Sequence, residues 1–181
     1  DQHVRLGKWP AGPMPLARKM SGARLGIVGM GRIGQAIAQR ALAFGMSIAY
    51  TARSAKPALP YAFHATPRDL AAASDFLVVI TPGGTAPRKL IDAEVLRALG
   101  PAGYLINVAR GSVVDEAALI AAMQQGTIAG AALDVFENEP QVPTELFALD
   151  NVVLLPHIAS GTQETRQAMA DRTFDNLQGF L

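Results

Sequence analysis

Four ionisable residues, Arg110, Asp134, Glu139 and His157, each stand at or just past the end of a short apolar run. Singly, each has an ordinary explanation as a surface cation, a loop carboxylate or a packed histidine. Together they form a set that can do chemistry. A guanidinium grips a carboxylate through two parallel hydrogen bonds and polarises a carbonyl beside it, which suits Arg110. Histidine exchanges protons near neutral pH, so His157 is the candidate donor to a developing alkoxide. A carboxylate on the far ring nitrogen would fix the tautomer of that histidine and favour its protonated form, and Glu139 is the candidate. This combination suits reduction of a 2-oxo acid, with the hydride supplied by a nicotinamide cofactor.

A place for such a cofactor is written near the start of the chain. The run Leu25 to Val28 meets Gly29-Met-Gly31-Arg32-Ile33-Gly34, and a helical pattern follows with Ile33, Ile37, Ala41 and Phe44 on one face. In a strand–turn–helix of this kind Gly29 permits the turn and Gly31 lets a pyrophosphate approach the backbone. Gly34 lets the helix lie close on the strand. Free N–H groups and the positive end of the helix dipole would face the phosphates.

Ser47 to Thr51 reads as the next strand. An Asp or Glu is usual there, about 20 residues past the glycines, to bind the adenosine ribose. This chain has Thr51-Ala-Arg53-Ser54 instead. Without a carboxylate to repel a 2′-phosphate, Arg53 and Ser54 can hold one, so NADP(H) is expected to be preferred over NAD(H).

These residues need a scaffold. Asp75 to Thr81 is a continuous apolar strand broken by Pro82-Gly-Gly-Thr85, and Thr81 and Pro82 fall where open α/β sheets bind ligands. Further strands are predicted over Tyr104–Ala109, Ile128–Val135 and Val152–Leu155. Helices are predicted after Thr66, over Asp92–Leu99, over Asp115–Gln125 and from about Gln163, the last with Met169, Thr173, Leu177 and Leu181 on one face. Strands and helices alternate, which predicts an α/β fold, a doubly wound parallel sheet of Rossmann-like, three-layer α/β/α form. Residues 1–20 carry prolines and no sustained periodicity. They read as an extended lead-in or linker, with 21–181 as the dinucleotide-binding domain. Trp9 is expected to pack on a neighbouring surface, and His3 and His64 to be structural or solvated.

Composition narrows the classes. The chain has 181 residues, 50% of them hydrophobic, enough for one domain that buries about 70% of its unfolded surface. A net charge of +1 makes no electrostatic case for nucleic acid or an anionic membrane. With no cysteine, disulfides, thiolate zinc sites and a cysteine nucleophile are excluded, and no metal site is expected. A cytoplasmic location is the expectation.

Four motifs in order, Gly29–Gly34, Asn107–Glu116, Ala132–Pro140 and Pro156–Gly161, resemble the cofactor-binding domain of the D-isomer-specific 2-hydroxyacid dehydrogenases. The resemblance implies the catalytic trio Arg110, Glu139 and His157, with Asp134 near the nicotinamide carboxamide. Val108 and Gly161, inside those motifs, join Gly29, Gly31, Arg32, Ile33, Gly34, Arg53, Ser54, Thr81 and Pro82 as expected cofactor contacts. Thr-Ala-Arg-Ser resembles the NADP-preferring glyoxylate and hydroxypyruvate reductase branch. Formate dehydrogenases of the superfamily carry Gln where Glu139 stands, which argues against that reaction. In the loop after the third strand Thr85 and Pro87 look exchanged relative to the family pattern. The resemblance also implies a second, substrate-binding lobe that this sequence lacks, and a homodimer formed through this domain. The rival reading is a dinucleotide-sensing interaction module, like the corepressors that share the fold.

Overall fold

The computed structural model describes residues 2–14, 16–82 and 86–180. The expectations for Gly83, Gly84, Thr85 and Leu181 fall outside these. Among the described residues seven short, largely apolar runs form strands: β1 Arg24–Val28, β2 Ser47–Thr51, β3 Ala62–Phe63, β4 Phe76–Val79, β5 Tyr104–Asn107, β6 Gly130–Leu133 and β7 Val152–Leu154. All pair in parallel, in the order β3-β2-β1-β4-β5-β6-β7. The order reverses beside β1, and such a switch point opens a crevice at the strands' C-terminal ends.

Register makes that edge level. Thr51, Val28, Val79, Asn107, Leu133 and Leu154 are successive partners across one rung. Every loop that leaves this rung therefore starts at the same height, which brings residues distant in sequence to one edge.

Among the described residues six α-helices accompany the sheet: α1 Gln2–Arg5, α2 Arg32–Leu42, α3 Pro67–Ala72, α4 Ala93–Leu99, α5 Glu116–Gln124 and α6 Gln163–Gln178. One core joins Leu77, Val79, Leu105 and Leu133 of the sheet to α3, α4 and α5 residues such as Leu70, Leu96 and Leu119. A second lies on the opposite face, where Ile27, Ile48, Tyr50 and Val78 meet Ala38 and Ala41 of α2. The sheet is thus sandwiched between helices, as alternating strands and helices require.

Several details differ from the sequence reading. The face that α2 buries is Gly34, Ala38 and Ala41, while Ile33 and Phe44 are exposed. A Cβ on Gly34 would overlap the carbonyl oxygen of Gly29. The helix lies so close to the turn that small residues form most of the contact, with Ile37 packed beside them. The helix α6 forms, but none of its residues is buried, and Met169, Thr173 and Leu177 of the expected face are exposed, as is Phe174. Trp9 is likewise exposed rather than packed. The lead-in is less extended than expected, with the single turn α1 and a 3-10 turn at Trp9–Ala11. The His3 ring lies 3.2 Å from the Gly12 carbonyl oxygen through Nε2. The two-residue β3 was missed because so short a run shows no period.

Candidate active site and cofactor cleft

The β1–α2 turn shows what each glycine permits. Gly29 sits at φ +107°, and a Cβ there would press on the Ile80 carbonyl oxygen at 2.6 Å. Gly31 has open space where a Cβ would be. The α3, α4, α5 and α6 helices are each capped by a side chain, from Thr66, Asp92, Asp115 and Thr162. By contrast, α2 has Gly31 at its N-cap and no side-chain cap, so its first N–H groups are left for another acceptor.

A cleft of about 410 Å³ opens there, lined by Gly29, Gly31, Arg53, Ser54, Thr81 and Pro82 among others. Lys56 also lines it, a third polar residue beside Arg53 and Ser54 that sequence reasoning missed. Its signal was its place in the loop that follows β2. The Thr81 hydroxyl is buried without a hydrogen-bond partner among the described residues. An uncapped helix start, a bare backbone at Gly31 and an orphaned hydroxyl together fit a phosphate-bearing dinucleotide. Arg32 is exposed at the first position of α2, and Val108 is half-buried, its N–H donated to the Val79 carbonyl.

Toward β5–β7 the loops carry the ionisable set. The buried Asn107 ends β5 by accepting the Ala109 N–H at 3.1 Å and donating to the Arg110 carbonyl at 3.2 Å. Its side chain shapes the turn that presents Arg110. Sequence reasoning missed Asn107, although an Asn closing an apolar strand is itself a turn signal. Arg110 is exposed and donates from Nη1 to the Ala109 carbonyl at 2.6 Å. It lines an open cavity of about 620 Å³ with Ser112, Phe136, Glu137, Asn138 and Glu139.

Glu139 faces two ways. Its Oε1 accepts the Phe136 N–H at 3.1 Å, and its Oε2 lies 2.8 Å from Nδ1 of His157. The hydrogen bond to His157 holds the Glu139 carboxyl below its ordinary range. Burial opposes this, while the Phe136 N–H and the charges of His157 and Arg110 reinforce it. His157 adopts φ +52°, a left-handed conformation uncommon outside glycine. That twist belongs to a turn gripped from below. The Asp134 carboxylate accepts the Ile158 N–H at 2.7 Å and the Ala159 N–H at 3.0 Å. Asp134 is buried, so its carboxylate serves this turn, while Gly161 closes it by donating to the Ile158 carbonyl at 2.8 Å. The structure therefore joins Glu139 directly to His157, sets Arg110 beside Glu139, and places Asp134 under the histidine turn.

Residues 1–159 match the model of the NAD binding domain of the D-isomer specific 2-hydroxyacid dehydrogenases. The chain belongs to that family. It is 53% identical over 178 residues to a glyoxylate/hydroxypyruvate reductase of Arabidopsis thaliana, covering 98% of this chain and 57% of the relative. It is 48% identical to a 2-ketogluconate reductase of Gluconobacter oxydans, over 100% of this chain and 58% of the relative. Among solved structures, an NADPH-dependent glyoxylate/hydroxypyruvate reductase of Sinorhizobium meliloti, in complex with NADP and malonate, superposes with a TM-score of 0.93. The two share 52% sequence identity, over 99% of this chain and 57% of that one. The chain thus spans somewhat over half the length of the relatives it matches.

Proposed function

We propose that this chain is the NADP(H)-binding half of a reductase that converts a small 2-oxo acid, of the glyoxylate or hydroxypyruvate type, into the D-2-hydroxy acid. The observation that carries the reading is the 2.8 Å contact between His157 Nδ1 and Glu139 Oε2, at the same sheet edge as the uncapped glycine turn. Gly29, Gly31, Gly34 and the start of α2 would hold the pyrophosphate, with Thr81 and Pro82 beside it. Arg53, Ser54 and Lys56 would hold a 2′-phosphate. The bound nicotinamide supplies the hydride. Arg110 holds the substrate carboxylate and polarises the carbonyl, and His157 gives its proton to the carbonyl oxygen. Glu139 keeps Nδ1 occupied, which leaves Nε2 to face the substrate. The NADP in the Sinorhizobium relative and the absence of an acidic residue after β2 support preference for NADP(H) over NAD(H).

The substrate lobe expected from the resemblance would exclude water from this open edge and strengthen each of these contacts. A homodimer through this domain fits the exposed apolar residues Val4, Leu6 and Trp9 of the lead-in. A cytoplasmic setting fits a chain that can form no disulfide.

The test is His157→Ala in a chain that carries the substrate lobe. Turnover of glyoxylate or hydroxypyruvate is expected to fall by about 10²–10⁴, the usual worth of a positioned proton donor, with NADPH affinity unchanged. Undiminished turnover in that variant would remove His157 as donor. NADPH binding without turnover in the parent protein would favour the dinucleotide-sensing module.

A further inference from the structure

Glu139 meets His157 only while its own loop is held in place. The loop from Phe136 to Glu139 has two consecutive N–H groups taken by carboxylates. Phe136 gives its N–H to Glu139 itself, and Glu137 gives its N–H to Oε2 of Glu116 at 3.2 Å. Glu116 is the first residue of α5, 21 residues earlier in the chain, so this bond ties the loop to a different element. Two more ties converge on the same loop. The Glu137 carboxylate pairs with Arg88, and a Cβ on Gly111 would overlap the carbonyl of Phe136. Glu116 is partly buried, and burial together with the Glu137 charge raises its carboxyl above the ordinary range, against the pull of the Glu137 N–H. Its charged neighbours are Glu137, the Arg88 paired to it, and the Lys89–Asp115 pair at the start of the same helix. A carboxyl kept there at some desolvation cost, with no mechanistic step assigned to it, calls for a reason.

We infer that Glu116 is a positioning residue for proton donation: by holding the Glu137 N–H from α5, it sets the loop so that Glu139 meets Nδ1 of His157. This rests on the proposed Glu139–His157 pairing. It requires only an acceptor oxygen at Glu116, not a charge. The conservative amide should therefore replace it, whereas a shortened or truncated side chain should not.

The experiment compares Glu116→Ala, Glu116→Asp and Glu116→Gln in the chain that carries the substrate lobe, with Glu139→Gln as reference. Ala and Asp are expected to lower kcat about tenfold to a hundredfold, as a small misplacement of a catalytic group does. They should also move the proton-donor limb of the pH–rate profile to lower pH, in the direction of Glu139→Gln, with the Kd for NADPH unchanged. Gln should restore both kcat and profile. Parental kcat and profile in Ala and Asp would overturn the inference, as would equal losses for Gln and Ala. A loss of kcat with an unmoved profile would overturn it too, since Glu116 would then be merely structural. The Asp variant keeps the charge and the helix start, so it decides the matter even if Ala fails to fold. If Glu139→Gln moves the profile and the Glu116 variants do not, this inference alone fails. If Glu139→Gln leaves the profile unmoved, the pairing itself fails and the inference falls with it.

Discussion

Arg53 draws its interest from what is missing beside it. A carboxylate after β2 would repel a 2′-phosphate, and here Ala52, Arg53 and Ser54 stand at the mouth of the cleft, with Lys56 close behind. Arg53→Ala is expected to weaken NADPH binding ten- to a hundredfold, corresponding to roughly 1.5–3 kcal/mol for a hydrogen bond to a charged group. NADH binding should barely change, because it has no phosphate at that position. Fluorescence titration of the chain with each nucleotide checks this, and equal losses for both would remove the phosphate assignment. At this scale the sequence was informative where chemistry restricts residue type. Glu139 was singled out as the partner of His157 because a proton-donating histidine needs one, and the two carboxylate–ring atoms do meet. Asn107 and Glu116 were not singled out. Their work is to hold backbone groups, and a backbone N–H leaves no mark on the residue that carries it.

The elements were legible where capping and periodicity are local properties. Thr66 caps its helix as its sequence context predicts, while Asp92 and Asp115, expected as the first residues of their helices, are their caps; all three accept N–H groups two or three residues ahead. Faces were harder to read. Of the expected face of α2, Ala41 is buried and Ile37 packs on the core, and Gly34 makes the close approach its place in the motif predicts. Ile33 and Phe44 at the ends are exposed, and Ala38 takes a contact that depends on the assembled layers. The turn at His157–Ala159 belongs to the same class. Its shape comes from Asp134, 24 residues upstream, whose buried carboxylate accepts the Ile158 and Ala159 N–H groups. Asp134→Ala would orphan both amides and release the left-handed residue between them and β7. The expected loss of stability is about 2–4 kcal/mol, since each charged hydrogen bond contributes about 1.5–3 and exposed amides recover some of it from water. Urea unfolding measures it, and the His157 turn should become cleavable by protease before the sheet unfolds. A stable variant with an intact turn would show that the carboxylate is not what shapes it.

At the scale of the whole molecule, the two edges of the sheet do different things. The C-terminal edge gathers the candidate site residues, as the alternation of strands and helices predicts. The N-terminal edge is held by Asp75, which the sequence marked only as the start of an apolar strand. Its buried carboxylate accepts from Arg24 through the backbone N–H at 2.8 Å, Nε at 3.2 Å and Nη2 at 2.7 Å. Arg18 of the lead-in reaches the same group at 2.8 Å and donates to the Ala102 carbonyl at 2.6 Å. One carboxylate thereby ties β1, β4 and the lead-in together across 57 residues of chain. The Arg24 side-chain bonds, outweighing burial and helped by the Arg24 N–H and the Arg18 charge, lower its pKa from 3.8 to about 2. A carboxylate depressed in the folded state adds stability that is fully present above its unfolded value and is lost as the pH falls through the folded one. The window here is therefore pH 3.8 down to about 2. The shift corresponds to about 2 kcal/mol at neutral pH. Asp75→Asn should lower stability by about that amount at pH 7, and the gap from the parent protein should close as the pH falls through the window. Urea midpoints measured from pH 5 to pH 2 check both statements. A gap that stays constant down to pH 2 would mean that the ionised form of Asp75 does not hold this edge. A gap that closes would fix the ionised Asp75 side chain, held chiefly by Arg24 of β1, as the tie across this edge.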